Sequence, residues 1–186
     1  MTNPIHVLGF AGSLRKRSYN AALLRAAQEL LPEGMSLEIY DITPIPFYNE
    51  DVEMAGFPEP VQYFKSRIAA ADAVLIATPE YNYSMPGVLK NALDWASRPI
   101  SQTPLNGKPL AIMGATTGPW GTTRAQLHLR QSCVYFNALP INKPVVHIAR
   151  AAEKFDADLR LTDEQTRREV RGLLESLAAW ARRLKG

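Results

Sequence analysis

Residues 5–20 read Ile-His-Val-Leu-Gly-Phe-Ala-Gly-Ser-Leu-Arg-Lys-Arg-Ser-Tyr-Asn, and this stretch decides the fold. Its first part, Ile5 to Phe10, is a short apolar run of strand length. Ala11-Gly12-Ser13 turns the chain, and from Tyr19 to Leu31 the residues Ala22, Leu23, Ala26, Ala27, Leu30 and Leu31 recur at helical spacing. A buried strand thus feeds a helix N-terminus through a polar, basic loop. The first N–H groups of a helix lack intrahelical partners and its dipole favours negative charge, so residues 12–20 form a candidate anion site. Ser13, Ser18 and Asn20 contribute short polar groups, and Arg15 a guanidinium fork suited to phosphate oxygens. The bland alternative is a capped turn, with Ser18 as N-cap and the cations in solvent.

Outward from that stretch, strand and helix patterns alternate. Pro32 and Gly34 stop the first helix, and Ser36 to Tyr40 alternates like a strand. Thr43 to Pro60 is rich in Pro, Asn, Asp and Gly and reads as a long loop. Val61 to Ala70 fits a helix, Ala73 to Thr78 a buried strand closed by Pro79, and Pro86 to Arg98 a helix with Pro86 in its first turn. Pro109 to Ala115 reads as a fourth strand, 116–121 as a loop, 123–137 as a helix and Pro144 to Ile148 as a fifth strand. Residues 150–161 are polar loop or hairpin, and Thr162-Asp163-Glu164 caps a last helix. Such alternation predicts one α/β domain over 1–186, a three-layer sandwich with a five-stranded parallel sheet. It matches the flavodoxin-like order 2-1-3-4-5, whose ligand crevice lies where the winding reverses. That rule selects the loops after Phe10 and Thr78.

Composition excludes several classes. With 46% apolar and 21% charged residues the chain is of ordinary globular type, and its net charge of +3 is spread rather than gathered into a nucleic-acid stripe. Cys133 is the only cysteine, so neither an intramolecular disulfide nor a Cys-rich metal site is expected, and its helical setting suggests an inert buried thiol. No run reaches the roughly 20 apolar residues of a membrane span, and the apolar start is short and lacks a basic leader, so a cytoplasmic location is expected. His6, His128 and His147 match no metal-ligand spacing. Neither a Gly-x-Gly-x-x-Gly fingerprint nor a Gly-x-x-x-x-Gly-Lys-Ser/Thr loop occurs, which favours a phosphomonoester over a pyrophosphate.

The second loop, Thr78-Pro79-Glu80-Tyr81-Asn82-Tyr83-Ser84-Met85-Pro86-Gly87, faces the first across the expected crevice. It can flank a flat ring with polar groups and an aromatic wall, or hold tyrosines that merely pack. Gly-Ser-Leu-Arg-x-x-Ser-x-Asn at 12–20 and Pro-Glu-Tyr-Asn-x-Ser-x-Pro-Gly-x-Leu-Lys-Asn-Ala-x-Asp-Trp at 79–95 together resemble the two signatures of the NADPH-dependent FMN reductase family. The likeness is greatest to its bacterial quinone and chromate reductase branch and spans nearly the whole chain.

The resemblance implies an FMN-dependent oxidoreductase working by ping-pong hydride transfer, with NADPH or NADH as donor. Its acceptors would be quinones and similar small molecules, including chromate, azo compounds or free flavin. Ser13, Leu14, Arg15, Ser18, Tyr19 and Asn20 would lie at the FMN phosphate. Pro79, Glu80, Tyr81, Asn82, Tyr83 and Ser84 would flank the ring and ribityl chain, and Thr117 and Gly118 its pyrimidine edge. Arg124 would complete the set or reach a neighbouring subunit. A homodimer or homotetramer is implied, with the helix 86–98, bearing Lys90, Asp94 and Trp95, as contact surface, the alternative for Trp95 being burial wholly within its own subunit. Thr117 and Thr122 depart from the family pattern of Ser and Gly. The chemistry would be flavin-centred, without a catalytic side chain or metal. The alternative is a non-enzymatic flavodoxin-type electron carrier or flavin-binding sensor.

Overall fold

Every second residue of the first strand serves a different core. In the computed structural model, which describes residues 4–185, β1 (Ile5–Ala11) lies between β2 (Met35–Tyr40) and β3 (Ala73–Ala77), parallel to both. Val7 and Leu75 pack into one apolar cluster, whereas Leu8, Phe10, Val74 and Ile76 enter another on the opposite face. That alternation is the period-2 geometry of a strand covered on both sides. The first cluster is roofed by α1 (Tyr19–Glu29) and α6 (Glu164–Lys185). The second lies under α3 (Glu59–Ala70), α4 (Gly87–Ala96) and α5 (Thr123–Tyr135).

Outside β3 comes β4 (Pro109–Ala115), fully buried along its length. The order is β2-β1-β3-β4-β5, the flavodoxin-like arrangement expected. The fifth position differs in detail. It is shared by β5 (Leu139–Pro140), which pairs with the start of β4, and β6 (Val146–Ile148), which pairs with its end. Pro140 and Pro144 have no N–H to give a ladder, so a continuous edge strand cannot form there.

Two more expectations are corrected. The segment from Thr43 to Pro60 is not all loop: it contains α2 (Glu50–Ala55), and α3 already begins at Glu59. The Asn49 side chain caps α2 by accepting from the Asp51 N–H, and Glu50, Asp51 and Glu53 suit the positive end of its dipole. Pro86 stands at the N-cap of α4 rather than inside it, and the helix ends at Ala96.

Trp95 is fully buried within its own chain, its indole N–H donating to the Pro46 carbonyl at 2.8 Å, so it is not part of a subunit contact surface. Cys133 is also buried, and burial pushes its thiol up to about 12, which keeps it protonated.

The tightest joint lies where β4 meets the N-terminus of α5. A Cβ built on Gly114 would stand 2.1 Å from Thr122 Oγ1 and 2.3 Å from the Thr78 carbonyl oxygen, whereas one on Gly87 meets nothing within 4 Å. Gly114→Ala is therefore expected to cost about 3 kcal/mol or more, because backbone cannot yield as a side chain does. Gly87→Ala should be neutral or stabilising by up to about 1 kcal/mol. Urea unfolding of the two variants checks this.

Candidate functional site

β1 and β3 end side by side, with Phe10 opposite Ile76 and Ala11 opposite Ala77. The Gly12 N–H still donates to the Ala77 carbonyl at 2.9 Å, but beyond it the chain leaves the sheet. The N–H groups of Ser13, Leu14, Arg17, Tyr19 and Asn20 have no acceptor among the described residues. Five or more donors thus gather at one helix N-terminus. Ser18 is the N-cap of α1, its Oγ accepting from the Ala21 N–H at 3.2 Å. Arg15 donates through Nη2 to the Arg17 carbonyl at 2.9 Å, and Arg17 donates to the Ala157 carbonyl at 2.7 Å, which ties the loop to the hairpin beyond β6.

Asn20 also braces the fold. Its side chain is buried, donating to the Ala115 carbonyl and accepting from the Ala115 N–H, both at 2.9 Å. This pair of bonds pins α1 to the end of β4, and one Nδ2–H is left over at a residue that lines the cleft described next. Tyr19 packs on Phe155 with ring centroids 5.3 Å apart.

A cleft of about 420 Å³, open to solvent, lies between these loops. Ser13, Arg15, Ser18, Tyr19 and Asn20 line one side, and Pro79, Glu80, Tyr81 and Thr117 the other. Ala115 and Thr116, at the tip of β4, complete the lining and were not anticipated. The topological rule that selected the first and third strand tips reaches them as the next tip in line. Leu14, Asn82, Tyr83, Ser84, Gly118 and Arg124 stand outside this lining. Leu14 instead borders a neighbouring groove with Ile39 and Tyr40.

The second wall is a tight turn. Tyr81 and Ser84 exchange both backbone hydrogen bonds at 2.9 Å, and Asn82 and Tyr83 between them have φ of 49° and 65°. Two left-handed residues closing a two-residue hairpin make a type I′ turn. Asn adopts that geometry readily; Tyr83 does so at a cost, and its ring is exposed.

Glu80 ties this turn to α5. Its carboxylate accepts from the Arg124 N–H at 2.9 Å, from the Ala125 N–H at 3.2 Å and from Arg124 Nη1 at 2.8 Å. These are first-turn donors of α5, whose own N-cap, Thr122, gives no side-chain cap and sits at φ 66°. The Arg124 guanidinium also lies over the Tyr83 ring, 4.0 Å from its centroid, and 5.2 Å from that of Trp120. Burial works to raise the Glu80 carboxyl, but the bond from Arg124 and the two backbone donors outweigh it and hold it below the usual carboxylate range. Thr122, which departs from the family pattern, is buried in the left-handed region, where Gly would be relaxed; Gln126 Nε2 donates to its Oγ1 at 3.1 Å.

Among the described residues no three His, Cys, Asp or Glu side chains group to hold a metal, and no helix is long and apolar enough to cross a membrane.

The chain is similar to known proteins over nearly its whole length. The family model for NADPH-dependent FMN reductase matches residues 5–153. An NAD(P)H-dependent FMN reductase from Pseudomonas aeruginosa is 55% identical over 186 residues, covering 100% of both chains. A 2-hydroxy-1,4-benzoquinone reductase from a Burkholderia species is 45% identical over 171 residues, 92% of this chain and 93% of the relative. Among solved structures, the flavoenzyme NAD(P)H:(acceptor) oxidoreductase FerB from Paracoccus denitrificans superposes with a TM-score of 0.88 at 37% identity, covering 96% of this chain and 98% of that one.

The Glu80 linkage has a definite sign. A carboxyl depressed in the folded state contributes stability that is complete above the ordinary glutamate range and is lost as pH falls through the lower folded value. Glu80→Gln is therefore expected to be less stable than the parent near neutral pH. The gap should begin to shrink below about pH 4, where the unfolded carboxyl takes up its proton, and close only as the folded carboxyl does so at lower pH. Denaturant midpoints from pH 7 to pH 3 measure it. A second variant tests the strained turn: Thr122→Gly removes about 1 kcal/mol or more of backbone strain but also the buried hydroxyl, so its thermal midpoint should move only slightly.

Proposed function

The chain belongs to the NADPH-dependent FMN reductase family, and from that premise we propose that its cleft holds FMN by the phosphate and presents the ring to small oxidised acceptors, quinones first among them. It is an FMN-dependent NAD(P)H oxidoreductase rather than a passive electron carrier. The observation that carries the site assignment is the set of unpartnered N–H groups on the loop 13–20 at the N-terminus of α1. A phosphomonoester dianion is what such a cradle accepts, since the N–H groups of Tyr19 and Asn20 belong to the first turn of α1, at the positive end of its dipole.

The residues present fit that group. Ser13 and Ser18 supply hydroxyls beside the free N–H groups, and Arg15 lines the same space, its guanidinium bonded through Nη2 to a carbonyl of its own loop. Pro79, Tyr81, Thr116 and Thr117 offer backbone and short polar groups to the flat part of the molecule, and Glu80 stands beside them. Bound there, FMN would supply the redox chemistry, hydride acceptance from a nicotinamide and two-electron reduction of the acceptor. The chain's own part is to bind, orient and leave one side open. Tyr81, about half exposed, borders the opening where donor and acceptor would alternate. Leu14, Asn82, Tyr83, Ser84, Gly118 and Arg124 support the contact residues from the flanks.

A homodimer or homotetramer is part of the proposal. The outer face of α5 carries Leu127, Val134 and Tyr135, all well exposed, with Trp120 just before the helix. An apolar stripe of that kind is normally covered. The exposed pair Lys90–Asp94 on α4 flanks it. A reductase works where reduced nicotinamide is supplied, and the cytoplasm is the compartment proposed.

The direct test is steady-state oxidation of NADPH and of NADH with a benzoquinone as acceptor. Turnover with at least one donor is expected, and none with either would refute the reading. Ser13→Ala combined with Arg15→Ala is expected to weaken FMN binding by about tenfold or more, the loss typical of charge-assisted hydrogen bonds. Fluorescence titration of the apoprotein measures it.

A further inference from the structure

The two walls of the cleft are loops from different strand tips, and loops joined only at their roots move independently. Here the loop after β3 is sewn along one line to α5, which follows β4. Glu80 binds the N–H groups of Arg124 and Ala125 together with the Arg124 guanidinium. Tyr83 stacks on that guanidinium, and Ser84 Oγ lies 2.9 Å from His128 Nδ1, one turn further along α5. Three side chains of the segment 80–84 thus meet three residues of one helix.

The Glu80 contact is the part that can carry force. Its side chain is only 11% exposed, whereas Tyr83 and His128 are exposed. It also does for α5 what the helix's own N-cap does not, because Thr122 makes no side-chain cap. A helix end capped by a distant loop cannot shift without moving that loop. The placement of the turn after Pro79, one wall of the cleft, and of the start of α5 is therefore set by one carboxylate.

We infer that Glu80 is a positioning residue: by capping α5 it fixes the turn that forms one wall of the cleft and so the orientation of the flavin ring against it. This rests on the proposed function, because it presumes FMN in the cleft. It assigns Glu80 a role through Arg124 and Ala125 rather than through contact with the reacting atoms. Glu80→Gln keeps an acceptor for the backbone donors but loses the ion pair. Arg124→Ala loses the ion pair and the stack yet leaves the backbone cap. Glu80→Ala loses all three.

The experiment compares the three variants with the parent holoenzyme in four readouts: thermal midpoint, FMN dissociation constant, visible circular dichroism of the bound flavin at saturation, and KM against kcat for a benzoquinone. The expected result for Glu80→Ala is an FMN dissociation constant raised about tenfold, as for a lost hydrogen-bonded charge, with an altered flavin dichroism even at saturation. Glu80→Gln and Arg124→Ala should fall between, with dichroism changed and the thermal midpoint within a few degrees of the parent. If Glu80→Ala does not fold, those two variants decide. A role confined to stability would move the midpoint alone, leaving dichroism, FMN affinity and KM at parental values in every folded variant, and that overturns the inference. If the parent itself binds no FMN, the proposed function fails first.

Discussion

The parallel pairing of β1 with β3 is the constraint on which the rest depends. It sets Ala11 beside Ala77, and a last backbone bond from Gly12 to Ala77 holds the two tips together. The chain winds from β1 to β2 on one side and from β3 to β4 on the other, so α1 and α4 leave toward opposite faces. Nothing fills the space above the joint except what the loops themselves carry. Its chemistry is then decided by eight residues, Ser13 to Asn20, and by the turn after Pro79.

Around that joint the polar groups are used with little redundancy. Asn20 bonds Ala115 through both ends of its amide, which fixes the first helix against the fourth strand. Glu80 spends its carboxylate on α5. The backbone N–H groups of residues 13–20 are what is left for a ligand. The scaffold is thus braced by side chains, while the proposed anion site is built largely of main chain, whose donors cannot swing away.

Much of this could be read directly from residue order. The runs 5–10, 73–78 and 109–115 are apolar and of strand length, the helical faces of 19–31 and 164–185 are regular, and Gly-Ser-Leu-Arg and Pro-Glu-Tyr-Asn follow the right strands. What stayed hidden depends on long-range or short-lived signals. The strand Leu139–Pro140 has two residues and a proline, and α2 has six residues in a stretch full of turn formers, too short for periodicity to register. Asn20 meets Ala115 across 95 positions, and no local pattern encodes that. Glu80 looks like a ligand contact beside the ring site; only the fold shows α5 arriving within reach of it. Thr122 is β-branched, which argues against φ 66°, and tertiary packing against Gly114 overrides that preference.

The central claim is that the phosphate end, gripped by main-chain donors at the N-terminus of α1, supplies the anchor for the flavin. Riboflavin carries the same ring without that group. Parallel titration of the apoprotein with FMN and with riboflavin separates the two contributions. The account predicts FMN binding tighter by about a hundredfold or more, since several charge-assisted bonds are at stake. Riboflavin binding within about threefold of FMN, a difference of well under 1 kcal/mol, would contradict it.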